Sequence, residues 1–527
     1  MTDTKESPSD HEVTTITEGS AKITFIGRSS AFYNPVQEFN RDLTITVLQQ
    51  FSDDWKKEFE TEDKDGISAE GSPSRKRPRV YDSLGDGQIK VLDALSASGL
   101  RALRFAKEVP NISKIIANDF CEQAVETIKR NIQLNKVENI VEARYGDATE
   151  TMMQHRSLDK RFHAIDLDPY GSVSVFLDSA VQSIADRGIL MITCTDMAVL
   201  CGNTPESCYN KYGSVSLRTK SCHEMALRIL LRTVDSHANR YARYIEPLLS
   251  ISIDFYIRVF VRVHTSAKIA KDSILKTSNI FVCSGCHTFS FQTLARKVTV
   301  DNSVKFTCST ANLPTLTDGG KCTFCAQSVH IAGPIYSAPI HNFSFVKKLL
   351  ERLKNNKEST ALKTQKRLIG VLSVVSEELP DVPLYYELDE LCHVLKCPVP
   401  RLLAFHSSIF NAGYRCSISH CNPRAVKTDA PPDLLWDTVR TLARSNGVKI
   451  EKFSEGSPGW RILSTEIKNN ISFKMHPLAQ AKSRVECAVR FQSNKGRNWG
   501  PKQKARGSVN SVKAGFQFQD LKAEESK

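Results

Sequence analysis

Between residues 89 and 263 the apolar positions switch repeatedly between two spacings. "IKVLDAL" (89–95), "SKIIAND" (113–119), "VEARYGD" (141–147), "RFHAIDLDPY" (161–170) and "RGILMITCTD" (187–196) are short apolar or branched runs, each with an aspartate at or near its end. Such runs predict buried strands. Between them, "GLRALRFAKEV" (99–109), "CEQAVETIKRNIQLN" (121–135) and "VSVFLDSAVQSIA" (173–185) repeat apolar residues every three or four positions and predict helices. A longer helix is expected over 215–239, and "LLSISIDFYIRVFVRV" (248–263) returns to β-type alternation. Strand and helix in turn predict a doubly wound, mostly parallel α/β sheet.

Outside this block the pattern weakens. Residues 1–20 read as a disordered, acidic leader that is neither a secretory signal nor a basic presequence. Residues 21–50 read as ordered, and about 51–87 as an exposed polar insertion. Arg75–Arg79 ("RKRPR") within it is a nuclear-import candidate, or simply a solvated loop. Beyond 270 come short strands, glycines and paired cysteines, then a basic helix-like run over 346–367. Short helices and turns follow over 386–450, and a basic tail after 481. Three parts are therefore expected: 21–270, a smaller α+β domain over 271–480 with a part resembling a winged helix, and the tail 481–527.

Charge narrows the partners. The 527 residues carry 71 Lys or Arg against 58 Asp or Glu, a net charge of +13. That excess favours a polyanion, although acidic substrates or plain solubility fit too. No apolar run of about 18 residues is present, so no membrane span is expected. Fifteen scattered cysteines suit a reducing compartment.

The candidate chemistry lies at the strand ends. In "VLDALSASGLRAL" (91–103) a strand ending at Asp93 meets a small-residue turn with Ser96 and Gly99, and then a helix. That shape suits a nucleoside cofactor. Only Gly99 of a G-x-G-x-x-G pattern is present, which disfavours a pyrophosphate cradle and a dinucleotide oxidoreductase. S-adenosyl-L-methionine fits better. Asp119, 26 residues beyond Asp93, would accept from the ribose hydroxyls, and Asp147 from the adenine amine. Taken singly, strand-end aspartates often only cap helices. The fourth strand delivers "DLDPYG" (166–171) to the same edge. Asp168 could accept an N–H of an exocyclic base amine and orient its lone pair towards a methyl donor. Pro169 would stiffen the backbone and Tyr170 would stack on the base. The alternative is an Asp-Pro turn that merely ends a strand.

Two CxxC pairs, Cys283/Cys286 and Cys322/Cys325, stand 35 residues apart. Four thiolates suit one tetrahedral structural zinc. Cys308 is a spare or rival ligand, and two pairs of buried thiols are the other reading.

Several longer motifs go further: "FYNP" (32–35), "NRDL" (40–43), "LDALSASGLRALRFAKE" (92–108), "DLDPYGS" (166–172), "TCTDMAVLCG" (193–202), "YGS" (212–214), "GPIY" (333–336) and "GYRCSISHCNPRAVKTDAP" (413–431). Together they resemble the eukaryotic and archaeal tRNA (guanine-26-N2) dimethyltransferases, over most of residues 21–480. The resemblance implies a Rossmann-like class I S-adenosylmethionine-dependent methyltransferase domain, followed by a smaller α+β RNA-binding domain. It implies an enzyme that places one and then two methyls on N2 of guanosine 26 of tRNA. Arg41 would reach the cofactor's methionine end, Asp119 the ribose and Asp147 the adenine. Asp168 would be the catalytic acid position and Tyr170 the family aromatic. Thr195 and Asp196 would line the crevice, and Phe32 and Asn34 would close over the base.

The basic run 346–367, the segment with Tyr414, Arg415, His420, Arg424 and Lys427, and the stretch 490–506 are the expected RNA contacts. A monomer in the nucleus, with cytoplasm also allowed and mitochondrion disfavoured, is expected. Rival readings are an amino-group methyltransferase acting on another RNA or DNA base, and a non-catalytic basic RNA-binding protein.

Overall fold

Five parallel strands with their crossover helices set the frame of the protein. The computed structural model describes residues 13–26, 33–67 and 87–492, apart from 301–302, 312, 314, 318, 357–361 and 487. Strands β1 (Val13–Glu18) and β2 (Ala21–Ile26) form a hairpin ahead of a 30-residue helix, α1 (Glu38–Ile67). There follow β3 (Ile89–Asp93), α2 (Leu100–Glu108), β4 (Ile112–Asp119), α3 (Glu122–Asn135), β5 (Val141–Tyr145), α4 (Ala148–Gln154), β6 (Phe162–Leu167), α5 (Leu177–Ser183) and β7 (Ile184–Cys194). Two short helices, α6 (Met197–Leu200) and α7 (Pro205–Tyr212), lead to α8 (Cys222–Asn239) and the hairpin β8 (Arg243–Ile253) and β9 (Tyr256–Thr265).

The sheet order is β5-β4-β3-β6-β7-β9-β8. β5 to β7 run parallel, while β9 is antiparallel to both β7 and β8. The result is a mixed α/β fold with a parallel-dominated sheet. β6 is buried along its whole length, as a central strand covered on both faces must be. One face packs on β2, α1, α2 and α3, the other on α4, α5 and α8. Each fully buried Ile, Leu or Phe there contributes about 1.5–3 kcal/mol.

Four sequence expectations change. The leader expected over 1–20 is partly structured: Val13–Glu18 is a strand, and Glu18 is buried against Arg41 and Arg104. The insertion expected from 51 does not begin there, because α1 continues to Ile67. Its polar residues meet distant counter-charges rather than water: Lys348 reaches Asp54 at 2.9 Å, Arg262 holds Glu58 at 2.7 and 2.8 Å, and Arg352 pairs with Asp53. Residues 68–86, with Arg75–Arg79, lie outside the described residues. The helix expected over 215–239 begins only at Cys222.

The fourth change concerns the basic run 346–367. It lies on two helices, Phe343–Asn355 and Gln365–Glu377, that bury Val346, Leu349, Leu368 and Leu372 in the core beside α1. Lys348, Arg352, Lys363 and Arg367 all pair with acids of α1 or the β8–β9 turn. A packing boundary therefore does not fall at 270.

Beyond β9, strands β10 (Thr277–Cys283), β11 (Phe289–Thr293) and β14 (Val329–Tyr336) form a three-stranded sheet, with a hairpin of β12 (Ala295–Val300) and β13 (Ser303–Cys308) beside it. Tyr386–Glu387, Asn422–Thr428 and Cys416–Ser419 form another, flanked by helices Leu388–Val394, Leu402–Asn411 and Pro432–Ser445.

The segment 416–428 forms a largely buried seam, while Tyr414 and Arg415 stay exposed at its start. Lys427 is buried on Glu224 at 2.9 Å, and His420 bonds Glu378 at 2.6 Å. Arg424 pairs with Asp389, and Arg415 with Asp381 and Asp429. Among the described residues no helix is long and apolar enough to cross a membrane.

Candidate active site

The carboxyl ends of β3, β4, β5, β6 and β7 converge on one edge of the sheet. After β3 the chain turns at Ala97 and Gly99, both with positive φ, and Gly99 caps α2. A Cβ at Gly99 would stand 3.3 Å from Ile128 of α3. Glycine is needed there both for its left-handed backbone and for this close approach. Ser96 Oγ donates to Asp93 Oδ2 at 2.6 Å. Asp119 shapes the same turn: its two oxygens accept the Ala97 and Cys121 amides, each at 2.9 Å. Asp147 caps α4 by accepting the Thr149 and Glu150 amides, and its side chain is exposed. Asn118 ties the strand ends together. Its Nδ2 donates to the Ala94 and Gly146 carbonyls, and its Oδ1 accepts from Thr151.

At the end of β6, Asp168 is held by the Arg101 guanidinium, and its side chain remains 23% exposed. Arg101 also lies 3.7 Å from Asp166, which Arg258 pairs from β9 at 2.5 Å. Pro169 is buried, while Tyr170 is 93% exposed. Thr195 fixes the loop that follows them. Its Oγ1 accepts the Gly171 amide at 2.8 Å, and its own amide donates to the Gly171 carbonyl at 3.0 Å. Asp196 faces a different set of groups: it accepts from the Tyr212 hydroxyl at 2.8 Å and the Cys194 thiol at 2.7 Å, with Lys211 at 3.4 Å.

Charge at this edge is unbalanced. Burial pushes the Asp93 carboxyl up to about 7, and the nearby Asp166 and Asp168 add to the rise. Arg101 and the Ser96 hydroxyl oppose it only in part. Buried acids exceeding their counter-cations create a place that favours a bound positive charge.

The entrance segment lies beside this edge. Asn34 is exposed and caps a short helical turn, Pro35–Gln37. Arg41 holds Glu18 with two hydrogen bonds and also donates to the Asn34 carbonyl at 3.2 Å. Phe32 lies outside the described residues.

The structure thus brings together Asp93, Ser96, Gly99, Asp119, Asp147, Asp168, Pro169, Tyr170 and Thr195. It directs Arg41 to Glu18 and Asp196 to Tyr212. Sequence reasoning passed over Arg101, Asp166, Arg258, Asn118 and Glu18. Two signals were available: Asp166 shares a strand face with Asp168, and Arg101 and Arg104 lie three apart on the apolar stripe of α2.

The four paired cysteines meet in a buried cluster. Cys283 Sγ lies 3.3 Å from Cys325 Sγ, and Cys286 Sγ lies 3.6 Å from Cys322 Sγ. Cys308 is exposed on β13 and does not join them.

A family model described as N2,N2-dimethylguanosine tRNA methyltransferase matches residues 12–440. A Caenorhabditis elegans protein named tRNA (guanine(26)-N(2))-dimethyltransferase is 56% identical, over 97% of this chain and 96% of its own length. A Saccharomyces cerevisiae relative named tRNA (guanine(26)-N(2))-dimethyltransferase, mitochondrial, is 37% identical, over 92% of this chain and 91% of its own. The solved complex of Trm1 from Pyrococcus horikoshii with S-adenosyl-L-methionine superposes with a TM-score of 0.62 at 27% identity, covering 80% of this chain and 98% of that one. With a family model and full-length relatives both spanning the strand-end site, the chain belongs to the N2,N2-dimethylguanosine tRNA methyltransferase family.

Proposed function

We propose that this chain transfers methyl groups from S-adenosyl-L-methionine to the exocyclic N2 of guanosine 26 in tRNA, once and then again. The observation that carries the reading is Asp168, pinned by Arg101 and partly open at the acid-rich strand edge of a chain from this family.

The cofactor supplies an activated, positively charged methyl donor. The residues present fit it: the Ser96–Gly99 turn leaves room for close approach, Asp119 and Asp147 stand at successive strand ends, and the under-compensated acids around Asp93 favour a cation. Asp168 would accept an N–H of the guanine amine, which orients the nitrogen and gives its proton a place to go. Pro169 would present its carbonyl as a second acceptor. Tyr170, almost fully exposed, would stack on a base turned out of its helix. Positioning and hydrogen bonding do the catalytic work, because the donor is already activated. Arg41 acts one step back in this reading: it fixes Glu18 and the Asn34 backbone, and through them the entrance segment. Phe32 and Asn34 would border the incoming base.

The cysteine quartet is the natural site of a structural zinc. Zn–S bonds of about 2.3 Å place four sulfurs about 3.8 Å apart, close to the spacing of the two short contacts. The helices and strands between 382 and 428 would form the winged-helix-like part of an RNA-binding domain. Lys347, Lys354 and Lys366 keep exposed side chains on the 346–367 helices, and with the tail from Arg490 onward they would meet the tRNA backbone. Nuclear addressing through Arg75–Arg79 is part of the proposal. The mitochondrial name of the yeast relative keeps that organelle open as well.

The test is transfer of labelled methyl from the cofactor to unmodified tRNA, with nucleosides identified by mass. N2-methyl- and N2,N2-dimethylguanosine are expected, both lost in Asp168→Ala with cofactor binding kept. Methylation of a different base would sink the guanosine assignment.

A further inference from the structure

Behind the wall of the candidate active site lies a second cluster of soft ligands. Cys201 caps the end of α6, directly after the segment that carries Thr195 and Asp196. Cys222 and His223 open α8. Ligand atoms of these three side chains all lie within 4.8 Å of one another, and each residue is half-buried. The Cys201 and Cys222 sulfurs thus face one another across the gap between α6 and α8. His223 Nδ1 is engaged by Ser252 Oγ of β8 at 2.9 Å, which sets the ring orientation.

We propose that Cys201, Cys222 and His223 form a second site for zinc, separate from the Cys283–Cys325 quartet. The donor set is the one zinc prefers: two sulfurs and one imidazole nitrogen. Around a tetrahedral ion such ligands stand about 3.3–3.8 Å apart, within about an ångström of the spread observed here. A metal-bound histidine normally gives its other nitrogen to an orienting partner, and Ser252 occupies that place. Half-burial leaves the fourth position to water.

The site's location gives it a role. Thr195 holds the Asp168–Gly171 loop, and six residues later Cys201 would be fastened to the start of α8. Through His223 and Ser252 the same ion would tie that segment to β8. The ion would thus stiffen the support of the catalytic loop without touching substrate. This inference does not depend on methyl transfer, because a metal count reads the same in an idle protein.

The experiment is elemental analysis of full-length protein purified under reducing conditions from zinc-supplemented culture. Wild type is compared with Cys222→Ser, His223→Gln and Cys322→Ser, each checked for folding by circular dichroism. Cys222→Ser and His223→Gln should each lose about one zinc per chain relative to wild type. Cys322→Ser should retain this ion and, loaded with cobalt(II), show a thiolate charge-transfer band that loses intensity when Cys222→Ser is added. Equal zinc in wild type and both site variants would overturn the proposal. So would a Cys201–Cys222 disulfide found by non-reducing mass analysis of the same zinc-grown protein.

Discussion

Two buried carboxylates in this protein are treated in opposite ways. Glu224, at the start of α8, meets Lys427 through both oxygens at 2.9 Å, Arg228 at 2.9 Å and the Leu384 amide at 2.8 Å. Burial alone would push its carboxyl up, but Lys427 and Arg228 overcome that and hold it at about 2. Asp93, at the end of β3, is just as deeply buried, yet lies with Asp166 and Asp168 in a group of three acids served by two arginines, and rises to about 7. The first is a closed account of charge that joins the main sheet to the 414–427 hairpin. The second is left open, and an open buried acid marks a place where a ligand completes the electrostatics.

The comparison can be broken first at its chemical end. Asp168→Ala should lower methyl transfer by about 10²–10⁴-fold, read in single-turnover assays with labelled cofactor. A smaller loss would move the catalytic role away from the strand edge. Next, Lys427→Met leaves Glu224 short of a partner and should cost about 3–5 kcal/mol in urea unfolding. Turnover per folded molecule should change little.

The pH responses should have opposite signs. Glu224 titrates lower in the folded state than in the unfolded chain. Its contribution is present above about 4.5, the unfolded value, and is lost as pH falls towards about 2. Asp93 titrates higher in the folded state. It therefore favours folding only at low pH, and that favour is lost as pH rises from about 4 towards about 7. Asp93→Asn should accordingly melt higher than wild type at pH 8 and no higher at pH 4. In wild type, the stabilisation by S-adenosyl-L-methionine in thermal melts should be larger at pH 8 than at pH 6. The smallest effect is expected from Gly99→Ala, which strains a φ of +79° and crowds Ile128. It should cost about 1–2 kcal/mol and weaken cofactor binding.

Much of the strand-end site was legible in the chain. β3, β4, β5 and β6 end where the apolar runs end, and their acids reach one edge because parallel strands with right-handed crossovers leave no other arrangement. Less legible was the direction each charge faces. Arg352, Arg367, Arg424 and Lys427 read as a surface for RNA, yet each is drawn onto an acid from another part of the fold. Asp53, Asp54 and Glu58 read as a solvated insertion for the same reason: their partners lie some 200 to 300 residues further on.

Local periodicity and strand-end chemistry are properties of neighbouring residues, so the sequence by itself determined the α/β frame, the tight turn at Gly99, the Asp168–Tyr170 loop and the pairing of cysteines. Counter-charges are chosen in space, across distances no local pattern encodes. Only the tertiary structure decided that Arg101 holds Asp168, that Arg41 turns to Glu18, that Lys427 closes on Glu224, and that Cys201 meets Cys222 and His223.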